Sequence, residues 1–206
     1  MSEETAPRPR RRMDPEERRH QIVDGAVRYF AEVGLSGNTR DLSRRLGVTQ
    51  SLIFKHFPTK SALHEAVYEQ VFLGRLQPHW PGLIRNRALP LSSRLGQFYA
   101  EYTRAIFTYE WMRIFMFSGL EGAELNRRYL GYLHDLILQP MQEELNTAIA
   151  PEVAGPEDIW RLHGSIIYIG IRRFVYQTPV PEDDLPAVLE SVAHFLNRWP
   201  GAAAGP

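Results

Sequence analysis

The sequence predicts an all-α chain organised as two helical bodies, and three observations carry that prediction. Nearly every segment between residues 14 and 198 repeats its apolar residues with helical period, and no stretch sustains the alternation of a strand. The first sixty residues hold short helices, each bracketed by a capping residue and a glycine or proline. A proline-punctuated stretch, PHWPGLIRNRALP (78–90), then precedes longer helices and is the best candidate linker. With 206 residues, 44% of them hydrophobic, the chain can fill one sizeable core or two modest ones.

Residues 1–13 include PRPRRR and lack apolar residues that could pack, so they read as a disordered basic arm. Asp14-Pro15-Glu16-Glu17 is a helix start, with Asp as the cap, Pro in the first turn and acids at the positive end of the dipole. Ile22, Val23, Ala26, Val27 and Phe30 then share one face until Gly34. A second helix starts at Asn38-Thr39-Arg40-Asp41, turns Leu42 and Leu46 inward and ends at Gly47. Thr49 caps a third, which Pro58 stops after about two turns, a length unstable in isolation. Thr59 caps a fourth, running through Leu63, Val67 and Val71 towards Gln77. Further helices are expected near 91–109, 110–119, 123–149, 157–177 and 183–198, with Pro140 kinking or splitting the long one. PGAAAGP (200–206) reads as a tail.

The short third helix carries the function. TRDLSRRL (39–46) and QSLIFKHF (50–57), joined by a tight glycine-containing turn, form a helix-turn-helix. A major groove roughly 12 Å wide admits one helix, provided others hold it at the surface from behind. Leu52, Ile53 and Phe57 supply that support. On the opposite face Gln50 can pair with adenine, and Lys55 can donate to guanine or to phosphate. Thr49 and Ser51 suit phosphate or base contacts, while His56 and Lys60 lie where the backbone should pass. Thr39 and Arg40, at an exposed helix N-terminus, suit phosphate. Charge agrees: residues 1–60 carry 12 Lys and Arg against 8 Asp and Glu, and the remainder 12 against 16. The arm's arginines fit loose phosphate attraction better than base reading.

The stretch RHQIVDGAVRYFAEVGLSGNTRDLSRRLGVTQSLIFKHFPTKSALHEAV resembles the N-terminal domain of the tetracycline-repressor (TetR) family of bacterial regulators. The resemblance rests on Ala26, Phe30 and Gly34, on Thr39-Arg40-Asp41-Leu42, on Gly47-Val48, and on Phe54-Lys55-His56-Phe57 leading to Lys60 and Leu63. It covers roughly residues 18–67. It implies a homodimeric, usually repressing protein that binds a palindromic duplex operator and is released by a small molecule held in the C-terminal domain. Transferred by position, the DNA contacts are Thr39, Arg40, Thr49, Gln50, Ser51, Phe54, Lys55, His56 and Lys60. The family commonly has tyrosine where Phe54 stands. Without the hydroxyl, Phe54 is left with apolar contact to a thymine methyl or sugar, or with packing. The domain reading is therefore 14–60 for DNA binding, 61–199 for ligand binding and dimerisation, and 200–206 for the tail.

In the C-terminal body, Phe98, Tyr102, Trp111, Phe115, Tyr132 and Tyr168 recur on inward stripes and are the expected walls of a pocket for an apolar or aromatic effector. The same residues would equally serve an ordinary core or a dimer interface. The helix at 157–177 is apolar around most of its circumference and needs cover on two sides. Ile159, Leu162, Ile166, Ile169, Val188, Val192 and Phe195 are the expected dimer interface, with Gly164 and Gly170 permitting close approach. Arg127-Arg128 and Arg172-Arg173 could meet an anionic ligand, remain on the surface, or pair across a dimer with Glu182, Asp183 and Asp184. Histidines 64, 134, 163 and 194 do not form a spaced ligand set, so neither metal nor cofactor is expected. Nucleophile–base spacings and phosphate-binding glycine loops are missing too, which argues against an enzyme. The chain has no cysteine, no apolar leader and no uncharged run long enough to span a bilayer, and it reads as cytoplasmic without a membrane partner. The competing reading is a regulator or an architectural DNA binder with no small-molecule inducer.

Overall fold

A computed structural model describes residues 13–122, 124–151 and 153–203. The basic arm up to residue 12 lies outside these. Among the described residues every regular element is helical. The first four helices are α1 (Pro15–Val33), α2 (Thr39–Leu46), α3 (Gln50–His56) and α4 (Lys60–Val71). Each starts where a short polar side chain accepts from a backbone N–H in the first turn: Asp14 from Glu16, Asn38 from Arg40, Thr49 from Leu52 and Thr59 from Ala62. Gly47 ends α2 in the left-handed region at φ 63° and ψ 32°, a conformation that costs glycine little. Helix α4 stops at Val71, short of the expected Gln77, and a single 3-10 turn (Leu73–Arg75) carries the chain on.

The stretch expected to be a linker instead holds a short helix, α5 (Trp80–Arg85), with Trp80 and Ile84 buried in the core. The Trp80 indole donates to Glu101 at 2.9 Å, and its ring meets Phe98 and Tyr102 edge-on. Burying two large apolar side chains is worth several kcal/mol, which explains why so proline-rich a segment docks. Next come α6 (Leu91–Ile106), α7 (Tyr109–Leu120), α8 (Glu124–Leu133) and α9 (Gln139–Ile149). Between the last two, His134–Leu138 form a π-turn, in which Gln139 N–H reaches His134 C=O. The expected break at Pro140 takes this form because proline has no N–H to return to the carbonyl four residues back.

The chain closes with α10 (Pro156–Phe174), α11 (Leu185–Asn197) and a last turn, α12 (Pro200–Ala203). The expected tail is therefore partly structured. Ala202 is buried, and a Cβ on Gly201 would approach the carbonyl oxygen of Ala148 to 3.0 Å. Polar ties reinforce the C-terminal body. Glu144, itself buried, accepts from Arg87 at 2.9 Å and from buried Arg94 at 2.8 Å.

The two bodies are joined by packing as well as by chain. Leu63, Ala66 and Val67 of α4 are buried with the apolar face of α1, while Phe72 just beyond α4 lies 5.3 Å from the ring of Trp111 and 5.6 Å from that of Tyr129. Arg113 of α7 donates from Nε to the Ala31 carbonyl of α1 at 2.6 Å.

Candidate nucleic-acid interface

The interface begins with α3, whose two faces differ in kind. Ile53 is 1% exposed and Phe57, just after the helix, 2%, while Leu52 is half-buried. These contacts hold a seven-residue helix that could not persist alone. On the other side Thr49, Ser51, Phe54 and Lys55 are exposed, and Gln50 and His56 are half-buried. Phe54 is 38% exposed, an apolar side chain partly open to solvent among polar ones. The capping hydroxyl of Thr49 also lies 3.0 Å from that of Ser51.

The expectation for Thr39 needs correction. It is buried, and its Oγ1 accepts from Nε2 of Gln50 at 2.9 Å, so its first structural role is to tie α2 to α3. Arg40, the next residue, is exposed as expected. Lys60 is half-buried; partial burial pushes its ammonium below the ordinary lysine value, against the opposing charge of Glu121 just after α7. It is thus influenced by the C-terminal body as well as by its position beside α3.

Sequence reasoning missed Arg19, whose guanidinium lies 5.0 Å from the centre of the Phe57 ring. It brings positive charge from α1 to the C-terminal end of α3. The signal was present in Arg18-Arg19-His20, but only the packing of α1 shows which of the three meets α3. Behind the face, Arg45 pairs with Glu32 and lies 5.0 Å from the Tyr29 ring centre, and Arg44 pairs with Asp41 at 2.9 Å.

In the C-terminal body the six expected pocket residues do not line one pocket. Phe98, Tyr102 and Trp111 are buried in a continuous aromatic stack: Phe98 lies on Tyr102 with ring centres 5.2 Å apart, and Trp111 lies on the partly buried Phe115 at 4.9 Å. The Tyr102 and Tyr129 hydroxyls pair at 2.9 Å inside it. Tyr168 is 51% exposed on the outside of α10. Of the six, Tyr132 lines an open groove of about 450 Å³ between the chain after α4 and the π-turn, with Leu73, Leu76, Gln77, Trp80 and Leu136 among the other walls.

The expected dimer residues also fall differently. Ile159, Leu162, Ile166, Ile169, Val188 and Val192 are all buried within their own chain, and Phe195 is half-buried. Helix α10 therefore spends that stripe on α11 and its neighbours. Gly170 is likewise enclosed, with the Phe107 ring where a Cβ would stand. The other stripe, Gly164, Ile167, Tyr168 and Ile171, is half-buried or exposed, and nothing lies within 4 Å of a Cβ built on Gly164. Arg173 pairs with Asp184 of the same chain at 2.7 Å. Among the described residues no group of three His, Asp or Glu is placed to hold a metal ion, and no helix is long and apolar enough to cross a membrane.

Comparison with known proteins bears on this geometry. Residues 22–67 match the family described as bacterial regulatory proteins, tetR family. A helix-turn-helix transcriptional repressor of Mycobacterium tuberculosis is 47% identical over 51 residues, which is 24% of this chain and 27% of that protein's length. Among solved structures, a TetR-family transcriptional regulator from Pseudomonas syringae superposes with a TM-score of 0.62 at 13% identity, covering 90% of this chain and 97% of the other. The TetR-family regulator PfmR from Thermus thermophilus gives 0.58 at 18% identity, over 85% and 97%. At these identities the structural likeness speaks for the fold.

Proposed function

We propose that this chain, whose residues 22–67 match the tetR family of bacterial regulatory proteins, is a homodimeric repressor that inserts α3 into the major groove of a palindromic operator. The carrying observation is the contrast across α3. Ile53 and Phe57 are buried behind it, while Ser51, Phe54 and Lys55 are exposed on its other side. In this reading Gln50 and Lys55 address base edges, Phe54 meets a thymine methyl or sugar, and Thr49, Ser51, Arg40, His56 and Lys60 follow the phosphates. Thr39 acts by holding Gln50. Arg19 joins the phosphate set from α1.

Dimerisation falls to the outward stripe of α10 around Gly164, Ile167, Tyr168 and Ile171, where Tyr168 is exposed, the two isoleucines are half-buried and a glycine permits close approach of a second helix. Two copies would then present two α3 helices to half-sites about 34 Å apart. A small molecule bound in the C-terminal body releases the operator.

The test is titration of the purified protein with duplexes from the DNA flanking its own gene, against scrambled duplexes of equal length. Selective binding that persists at about 0.15 M salt supports the reading, and equal affinity for all duplexes ends it.

A further inference from the structure

The groove beside the π-turn has features that the aromatic core lacks. It is open, its volume of about 450 Å³ falls in the range of small-molecule sites, and none of the side chains lining it carries a charge. Its polar groups are the amide of Gln77 and the hydroxyl of Tyr132. We propose that this groove binds an uncharged, predominantly apolar small molecule bearing one hydrogen-bonding group. Its role as the effector site rests on the regulator reading above.

Three observations support the assignment. Part of the wall is braced before any ligand arrives. Pro78 and Pro81 stiffen one side, and Trp80 is pinned by its hydrogen bond to Glu101 and by the rings of Phe98 and Tyr102. The other side is the π-turn enforced by Pro140, a geometry often found at functional sites. A preformed wall spares a ligand the cost of ordering it.

Charge decides the ligand class. An ionised group entering the groove would leave water and meet no counter-ion, whereas an apolar body loses nothing by contact with Leu73, Leu76 and Leu136. The apolar side chains are also kept available: Leu73 is 37% exposed and Tyr132 48%.

Position supplies the consequence. Leu73 and Leu76 directly follow Phe72, which ends α4 against Trp111 and Tyr129, and α4 packs on α1. A ligand that favours one placement of this segment over another shifts the placement of the helices behind α3.

The probe for the test is N-phenyl-1-naphthylamine, an uncharged fluorophore, added to the full chain. Its competitors are 1-decanol and decanoate, matched in length and differing in charge at neutral pH. One probe should bind per chain, and 1-decanol should displace it at least about tenfold more effectively than decanoate. Leu73→Trp, which fills the groove from a partly open position, should weaken the probe at least about tenfold while leaving thermal stability unchanged. If that variant fails to fold, Gln77→Trp at an exposed position takes its place. Unchanged probe affinity in the folded variant would overturn the location, and equal competition by decanoate would overturn the ligand class. A protein that binds the probe as expected but prefers no duplex would remove the regulator reading and leave the groove assignment standing.

Discussion

Gln50 of α3 donates from Nε2 to Oγ1 of Thr39 in the first turn of α2, at 2.9 Å. The bond uses one of the two N–H groups of the amide and leaves the second, with Oε1, for the two-point pairing that adenine offers. Gln50→Ala should therefore weaken operator binding by about 1–3 kcal/mol. Thr39→Val, which only releases the amide, should cost about 1 kcal/mol. Fluorescence anisotropy against operators with single A·T replacements separates the cases. An equal loss on every duplex would remove Gln50 from base reading.

Lys55 is exposed on the same helix one residue after Phe54. Lys55→Ala is expected to cost about 1–3 kcal/mol, concentrated at one G·C position of the operator. Uniform weakening of all sequences, with a salt slope shallower by about 1, would reassign it to phosphate.

The dimer face can be separated from the core. Gly164 is exposed with open space around its α-carbon, so Gly164→Arg is tolerated within one chain and gains helix propensity. Sedimentation velocity should find it folded and monomeric, with much weaker operator binding. Ile166→Asp buries a charge in the chain's own core and should destabilise the fold by at least about 4 kcal/mol, read by urea denaturation. A dimeric Gly164→Arg variant would move the interface elsewhere.

His163 is buried beside the rings of Tyr99, Tyr102 and Trp160, its Nδ1 without a hydrogen-bond partner, and burial pushes its pKa down to about 4. The folded chain then stays unprotonated there while the unfolded chain takes up a proton near pH 6.5. Since the unfolded state binds more protons between those values, stability falls with decreasing pH, by up to about 1.4 kcal/mol per unit from this residue. His163→Phe should flatten the denaturation profile between about pH 6.5 and 4. An unchanged slope would place the acid sensitivity on the carboxylates.

Much of this molecule is legible in its sequence because helix ends are local chemistry. The caps at Asp14, Asn38, Thr49 and Thr59 each depend on residues two or three positions away, and all four helices begin where those residues predict. The break near Pro140 is local for the same reason. Thr39 was harder: its place at the start of α2 predicts exposure, but Gln50, eleven residues on, covers it.

The amino-acid sequence by itself determined the helical class, the capped short helices and the polar set on α3, because these follow from neighbours in the chain. Only the tertiary structure decided which stripe of α10 its own chain buries. That helix is apolar on most sides, so periodicity cannot choose between an inner and an outer face. Tertiary structure also made the groove, since Leu73 and Leu76 meet Tyr132 and Leu136 only once the chain after α4 packs against the π-turn. Contacts between residues some sixty positions apart depend on how whole helices fill a shared core, and no local pattern records that.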